Sequence, residues 1–298
     1  MEIVVFYGGV SDEREVSLRS GARVCEALSQ KGHTVHGIDA KKEVPTEEEI
    51  LLARRADAVF LCFHGGAGED GRWQAALARV GVQHYTGSDA HASALAMDKA
   101  RAKACVKKLG VPLAAGAVWQ MGAPRPMLEF PFIVKPCKGG SSVGFRILKS
   151  EAEAEKLIPS EDLLCESYLP GREYSVGVLA HSALPPVEIC PEGGVYDYTR
   201  KYTPGATREL CPAPLPPARL AELQNLAQIC FVALGLRDFA RIDFKEDAKG
   251  RPCFLEANTL PGMTDTSLLP LAASVRGIGF GDLCHKMAEM AYARRIAQ

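Results

Sequence analysis

The chain has 298 residues, which at about 150 residues per domain implies two domains, with three small ones also compatible. Apolar residues make up 47% and charged residues 24%, which excludes a disordered or collagen-like chain. Lys plus Arg is 35 against 36 for Asp plus Glu. A net charge of −1 argues against a general nucleic-acid or polyanion binder, while leaving room for a local basic pocket around a phosphate.

The ten cysteines are nowhere closer than 19 positions, so no CxxC zinc or redox pair exists. Most sit in apolar runs, such as Cys62 and Cys230, and read as buried reduced thiols. The amino terminus, MEIVVFYGG, reads as a first strand and lacks the basic region and cleavage site of a signal peptide. No apolar run approaches the roughly 18 to 20 residues of a membrane helix. The expectation is a soluble cytoplasmic protein without a membrane or nucleic-acid partner.

Strand and helix signals alternate over the first 88 residues. Ile3 to Tyr7 is an apolar strand ending in Gly8-Gly9, and a helix follows from about Asp12 to Lys31. Asp12 and Glu15 have capping-box spacing. Thr34 to Ile38 and Ala58 to Phe63 are further strands. Apolar strands separated by helices indicate a parallel sheet covered on both faces, with ligands at the carboxyl ends of its strands. Gly8-Gly9 and His64-Gly65-Gly66 occupy such ends.

Ala92 to Leu109 reads as one Ala- and Lys-rich helix. Beyond a Pro-rich connector, the strand Phe132 to Lys135 enters the loop PCKGGSSVG. Glu151 to Leu157 reads as a short helix, Asp162 to Tyr168 and Glu173 to Ala180 as strands. Residues 191–217 are polar and rich in Gly, Pro and Tyr with little periodicity, and a loop this long reads as an active-site lid or a disordered segment. Leu220, Leu223, Ala227, Cys230 and Leu234 then follow a helical period.

The most informative stretch runs from Phe239 to Asn258. A strictly alternating segment, Phe239 to Phe244, precedes the turn Asp247 to Gly250, and Phe254 to Asn258 alternates again after it. As a hairpin they bring Asp243, Glu256 and Asn258 to one surface beside Arg241. Such oxygen donors suit Mg²⁺. A solvated face of an edge hairpin is the competing reading. The turn-rich sequel, Thr259 to Thr264, can present backbone N–H groups to an oxyanion. Lys135 with Ser141 and Ser142 forms a plausible phosphate cradle, though not a Walker A motif, and an ordinary turn has the same composition. Lys99 has no local argument beyond a solvated surface lysine, and His64 reads equally as a structural histidine.

In order, GGVSDEREVSLRSG, HGGAGEDG, YTGS with AMDK, IVKPCKGGSSVG, ESYLPGRE, YDYTRKY, ARIDF and NTLPGMTDTSLLP resemble the D-alanine–D-alanine ligase family of the ATP-grasp superfamily, nearly end to end. The resemblance implies a Rossmann-like parallel-sheet domain at 1–87 and α+β domains at 88–165 and 166–298 that clamp ATP, with a lid near 191–211. It implies ATP contacts at Lys99, Lys135, Ser142, Glu166, Leu169 and Glu173, and two Mg²⁺ ions on Asp243, Glu256 and Asn258. Mn²⁺ as a substitute and K⁺ as an accessory ion belong to the same expectation. Glu13, Ser141, Tyr202, Arg241 and Gly262 would carry catalysis, and His64, Lys201, Ser267 and Leu268 would bind D-alanine. Tyr202 goes with D-alanine as the second substrate in the family, so a dipeptide for peptidoglycan precursors is the expected product, from a cytoplasmic homodimer. D-Serine or D-lactate as acceptor, or an inactive ATP-binding paralogue, are the alternatives. Departures from the pattern are Thr199 and Arg200 in the lid, Cys137-Lys138 before the Gly-Ser loop, and Ala257 between the metal ligands.

Overall fold

The computed structural model describes residues 1–140, 144–191 and 207–297. Among these residues it contains three β-sheets. The first is parallel, with β1 (Glu2–Gly8) between β2 (Thr34–Ala40) and β3 (Ala58–Leu61). Ile3, Val4, Val5 and Phe6 are all buried, as a sheet covered on both faces requires.

Helix α1 (Arg14–Gln30) crosses from β1 to β2. The capping box expected at Asp12 does not form: Glu13 takes the N-cap position and no side chain caps the helix. Ser11 instead gives its hydroxyl to the His64 carbonyl at 2.5 Å, so this helix start is built around the neighbouring loop. A capping box does form at Thr46 and Glu49, opening α2 (Glu47–Arg55). The HGGAGEDG stretch leaves β3 and folds into α3 (Gly66–Glu69), with α4 (Arg72–Arg79) beyond it.

The single helix expected over 92–109 is two helices, α5 (Ala90–Met97) and α6 (Lys99–Lys107). Asp98 breaks the run because its side chain accepts from the Arg101 N–H and starts α6 afresh. The second sheet is antiparallel, in the order β4 (Gly116–Trp119), β7 (Leu163–Ser167), β5 (Phe132–Pro136), β6 (Arg146–Leu148). The short helix α7 (Glu151–Ala154) is capped by Ser150.

The third sheet runs β11 (Thr207–Leu210), β10 (Val187–Pro191), β8 (Glu173–Leu179), β12 (Phe239–Glu246), β13 (Pro252–Asn258), and β9 (Ser182–Ala183) pairs with β8. Helix α8 (Pro217–Ala233) covers its apolar face together with Ala92, Ala96, Ala102 and Val106 of α5 and α6. The carboxyl-terminal helices α9 (Leu268–Val275) and α10 (Phe280–Ile296) return to share a core with the parallel sheet. Arg294 of α10 pins this return, pairing with Asp238 just before β12 and donating to the Tyr85 carbonyl. All ten cysteines are free thiols, in line with the reduced state expected from their spacing.

Candidate active site

The site is built on the β12–β13 hairpin. Asp243 stands opposite Glu256 and Arg241 opposite Asn258, and the register shifts between Asp243 and Phe244. Alternation along β12 sends Ala240, Ile242 and Phe244 into the core, and the register shift that skips Leu255 lets both Phe254 and Ala257 of β13 join them while Glu256 stays with the charged set. The hairpin is no solvated edge where the site lies. β12 is flanked by β8 and β13, and Asp243 is buried. The Asp243 carboxylate accepts from Ser175 at 2.7 Å, from Asn258 Nδ2 at 3.0 Å and from the Arg241 guanidinium at 2.9 Å. Ser175 comes from β8, directly across from Asp243, and carried no signal in the sequence.

Between the two antiparallel sheets lies a cleft of about 1050 Å³, bounded by Lys99, Lys135, Glu166, Leu169, Glu173 and Glu256 among others. At its floor Glu166 is 2% exposed and meets Lys103 Nζ at 2.7 Å and Lys135 Nζ at 3.1 Å. Burial works against its charge, but Lys135 and Lys103 together outweigh burial and hold its pKa below the usual carboxylate range. Lys99 is buried, not solvated, and its ammonium donates to the Gly139 carbonyl at 2.5 Å and lies 3.8 Å from Glu256. Glu173 is paired with Lys245 at 2.9 Å. Cys137 is a buried thiol next to this cleft, and burial pushes its pKa up to about 11, which suppresses thiolate chemistry.

A second cavity of about 740 Å³ adjoins the first, and Gly140 and Glu256 line both. Here Glu13, His64, Arg241, Gly262, Ser267 and Leu268 come together from five separate parts of the chain. His64 is fixed between the Ser20 hydroxyl at 3.0 Å and the Leu260 carbonyl at 3.2 Å. Burial lowers its pKa to about 4, so it is neutral near pH 7. Gly65 has φ +66, and a Cβ there would lie 2.6 Å from a Glu13 carboxylate oxygen. A Cβ on Gly140, at the start of the Gly-Ser stretch, would lie 3.1 Å from the same oxygen. The Gly-Ser loop thus reaches the second cavity. Gly262 faces Ser267, whose hydroxyl accepts the Thr264 N–H at 2.9 Å.

Glu69 also lines this second cavity. It accepts the Gly65 N–H at 2.6 Å, and burial followed by the nearby Glu13 charge raises its pKa to about 8. The HGGAGEDG motif drew attention to its glycines and its histidine; Lys103 sat in an Ala- and Lys-rich helix where the sequence alone does not separate it from the exposed Lys107. Neither Glu69 nor Lys103 was separable from its neighbours without the fold.

Ser141, Ser142, Lys201 and Tyr202 lie outside the described residues, as do Thr199, Arg200 and most of the stretch expected to be the lid. Among the described residues no helix is long and apolar enough to cross a membrane.

The chain matches known proteins over nearly its whole length. The family model for the carboxyl-terminal part of D-ala D-ala ligase covers residues 121–289. A D-alanine–D-alanine ligase of Methylacidiphilum infernorum is 40% identical over 98% of this chain and 96% of its own length. That of Aquifex aeolicus is 41% identical over 95% of this chain and 98% of its own. The chain belongs to the D-alanine–D-alanine ligase family. Its structure agrees with the family's ATP-grasp architecture: the Bacillus anthracis ligase complexed with ATP superposes with a TM-score of 0.86 at 29% identity, covering 100% of this chain and 98% of that one. The D-Ala:D-Ser ligase VanG of Enterococcus faecalis superposes with a TM-score of 0.82 at 26% identity, covering 97% and 98%. Membership makes the protein an ATP-dependent ligase.

Proposed function

We propose that the protein joins two D-alanine molecules with ATP, through an acyl phosphate, and that the residues of the two cavities divide the work as follows. The observation that carries this reading is continuity: Glu256 lines the cleft that holds Lys99, Lys135 and Glu166 and the cavity that holds Glu13 and His64. A phosphoryl group and a small amino acid bound in the two cavities would meet above the β12–β13 hairpin.

Lys99 and Lys135 neutralise the ATP phosphates, while Glu166, Leu169 and Glu173 border the nucleoside, with Ser142 as a further ATP contact. Asp243, Glu256 and Asn258 would hold two Mg²⁺ ions. The donor set fits: two carboxylates stand opposite each other and an amide lies beside them, all hard oxygen donors. Mg²⁺, or Mn²⁺ in its place, supplies charge neutralisation for the phosphates when bound, and K⁺ is an accessory ion of the reading. Glu13 takes the ammonium of the first D-alanine, and neutral His64 borders it without adding charge.

The first D-alanine carboxylate attacks the γ-phosphorus and ADP leaves. The free amine of the second D-alanine then attacks the acyl carbon, and phosphate departs. Arg241 and the Gly262 N–H stabilise the tetrahedral oxyanion; one such donor is worth about 3–4 kcal/mol in comparable enzymes. Ser267 and Leu268 hold the second carboxylate. Ser141, Tyr202 and Lys201 complete the closed site, because an acyl phosphate must be kept from water. The product enters peptidoglycan and cell-shape maintenance, and the reading includes a cytoplasmic homodimer. The domain limits 1–87, 88–165 and 166–298 belong to the same reading, although β7 (Leu163–Ser167) of the second sheet straddles the last limit.

ATP-dependent phosphate release with mass-spectrometric product analysis tests it, using Mg²⁺ with D-alanine alone or with D-serine or D-lactate added. Dipeptide formed in step with phosphate from D-alanine alone is expected. A mixed dipeptide or depsipeptide as main product would overturn the acceptor assignment, and ATP binding without any product would overturn the activity.

A further inference from the structure

Glu166 sits at the floor of the nucleotide cleft with a lysine on each oxygen: Lys103 at 2.7 Å on Oε1 and Lys135 at 3.1 Å on Oε2. The two lysines are not equivalent. Lys103 is 5% exposed and also donates to the Phe254 carbonyl of β13 at 2.7 Å, which ties its ammonium to the sheet. Lys135 ends near the cleft, and its ammonium pairs with Glu166 without a backbone tether among the described contacts. Helix α6 carries Lys103 one turn beyond Lys99, so one helix face sends one lysine to the Gly139 loop and the other beneath the cleft.

We propose that Lys103 is a positioning residue, the permanent counter-ion of Glu166 that leaves Lys135 able to turn to a nucleotide phosphate. The inference rests on the reading of Lys135 as a phosphate ligand. If Lys135 were the sole partner of Glu166, moving it to a phosphate would strand a buried carboxylate, and stranding one member of a buried pair is strongly unfavourable. With Lys103 anchored to both Glu166 and the Phe254 carbonyl, the charge on the floor stays balanced while Lys135 moves. Burial lowers the pKa of Lys103 and the Glu166 carboxylate opposes that, consistent with a cation retained by its partner.

Calorimetric titration of ATP and of adenosine into the full chain separates this role from simple structural support, because adenosine carries no phosphate to recruit Lys135. Lys103→Met is expected to weaken ATP by about tenfold or more, the worth of a hydrogen bond to a charged group, with a much smaller effect on adenosine. The KM for ATP rises accordingly while that for D-alanine is unchanged. Equal weakening of ATP and adenosine, or of neither, overturns the proposal. The double variant Lys103→Met, Glu166→Gln removes the stranded charge and guards against a failure to fold. Its preference for ATP over adenosine should equal that of Glu166→Gln alone; a lower preference would mean that Lys103 acts on phosphate directly and would overturn the indirect role. Lys135→Met is the control on the underlying reading. If it leaves the ATP preference intact, Lys135 is not a phosphate ligand and both ideas fall. If it abolishes the preference and Lys103→Met does not lower it, only the role of Lys103 falls.

Discussion

Arg241 grips the carboxylate of Asp243 at two points, with Nε 3.0 Å from Oδ1 and Nη2 2.9 Å from Oδ2. The two residues lie on the same face of β12, two positions apart, so the strand itself aligns the cation proposed for the oxyanion with the carboxylate proposed for the metal. Arg241→Met removes that donor but leaves Asp243 its contacts with Ser175 and Asn258. Steady-state assays should show kcat lower by about 10²–10³-fold, with a smaller change in KM for ATP. A loss confined to ATP binding would contradict the oxyanion role.

Gly262 has no room for a side chain. A Cβ there would come 2.6 Å from the Ser267 hydroxyl, which accepts the Thr264 N–H. Gly262→Ala should displace Ser267 and raise the KM for D-alanine as acceptor while ATP affinity stays near the original value. Separate titrations of the two substrates check this, and equal damage to both would argue for general unfolding.

The His64 environment makes a pH prediction. Its pKa is depressed by burial from 6.5 to about 4, so the unfolded chain binds a proton more readily than the folded one between those values. His64 therefore contributes stability that is fully present above pH 6.5 and lost as pH falls towards 4. At pH 5 the loss is about 2 kcal/mol. Glu69 runs the other way: with its pKa raised to about 8, its contribution is fully present below 4.5 and is lost as pH rises through 8. Urea unfolding of the wild type and His64→Gln at pH 7.5 and pH 5 isolates the first effect. The variant should lose less stability on acidification, and parallel losses would rule out the His64 contribution.

Arg294 ties the last helix to the start of β12. It reaches both carboxylate oxygens of Asp238, at 2.7 and 2.6 Å, and Asp238 is buried while also accepting the Gly87 N–H at 2.9 Å. Arg294→Met leaves that carboxylate uncompensated, which should lower stability by about 3 kcal/mol. Asp238→Asn, Arg294→Met together should recover part of the loss in thermal or denaturant unfolding. No recovery would indicate that Arg294 acts through packing along α10 and not through its charge.

The active face was legible in the sequence where the backbone period alone decides direction. Alternation in Phe239 to Phe244 and Glu256 to Asn258 was enough to put Arg241, Asp243, Glu256 and Asn258 on one surface, as their pairing in the hairpin shows, whereas the register shift at Leu255 that turns Phe254 into the core was not legible. The parallel opening unit was legible for a related reason: β1 and β3 are apolar on both faces, and each leads into a glycine-bearing turn. Local signals were less secure at boundaries. Asp98 split one expected helix in two because an Asx cap competes with helix continuation, and Asp12 lost its expected cap because the helix starts one residue later, with Glu13 at the N-cap position.

What the sequence determined by itself is the set of side chains and the strand faces that carry them, because alternation and turn chemistry are local. What only the tertiary structure decided is which distant groups face that set. Lys103 differs from the solvated lysines around it only because α6 lies against β13, which buries its ammonium between Glu166 and the Phe254 carbonyl. Ser175 meets Asp243 through the β8–β12 register, and Glu69 is an acid with a raised pKa because the fold buries it and, second, sets it near Glu13. Burial and long-range pairing set these properties, and neither is encoded in any short window of residues.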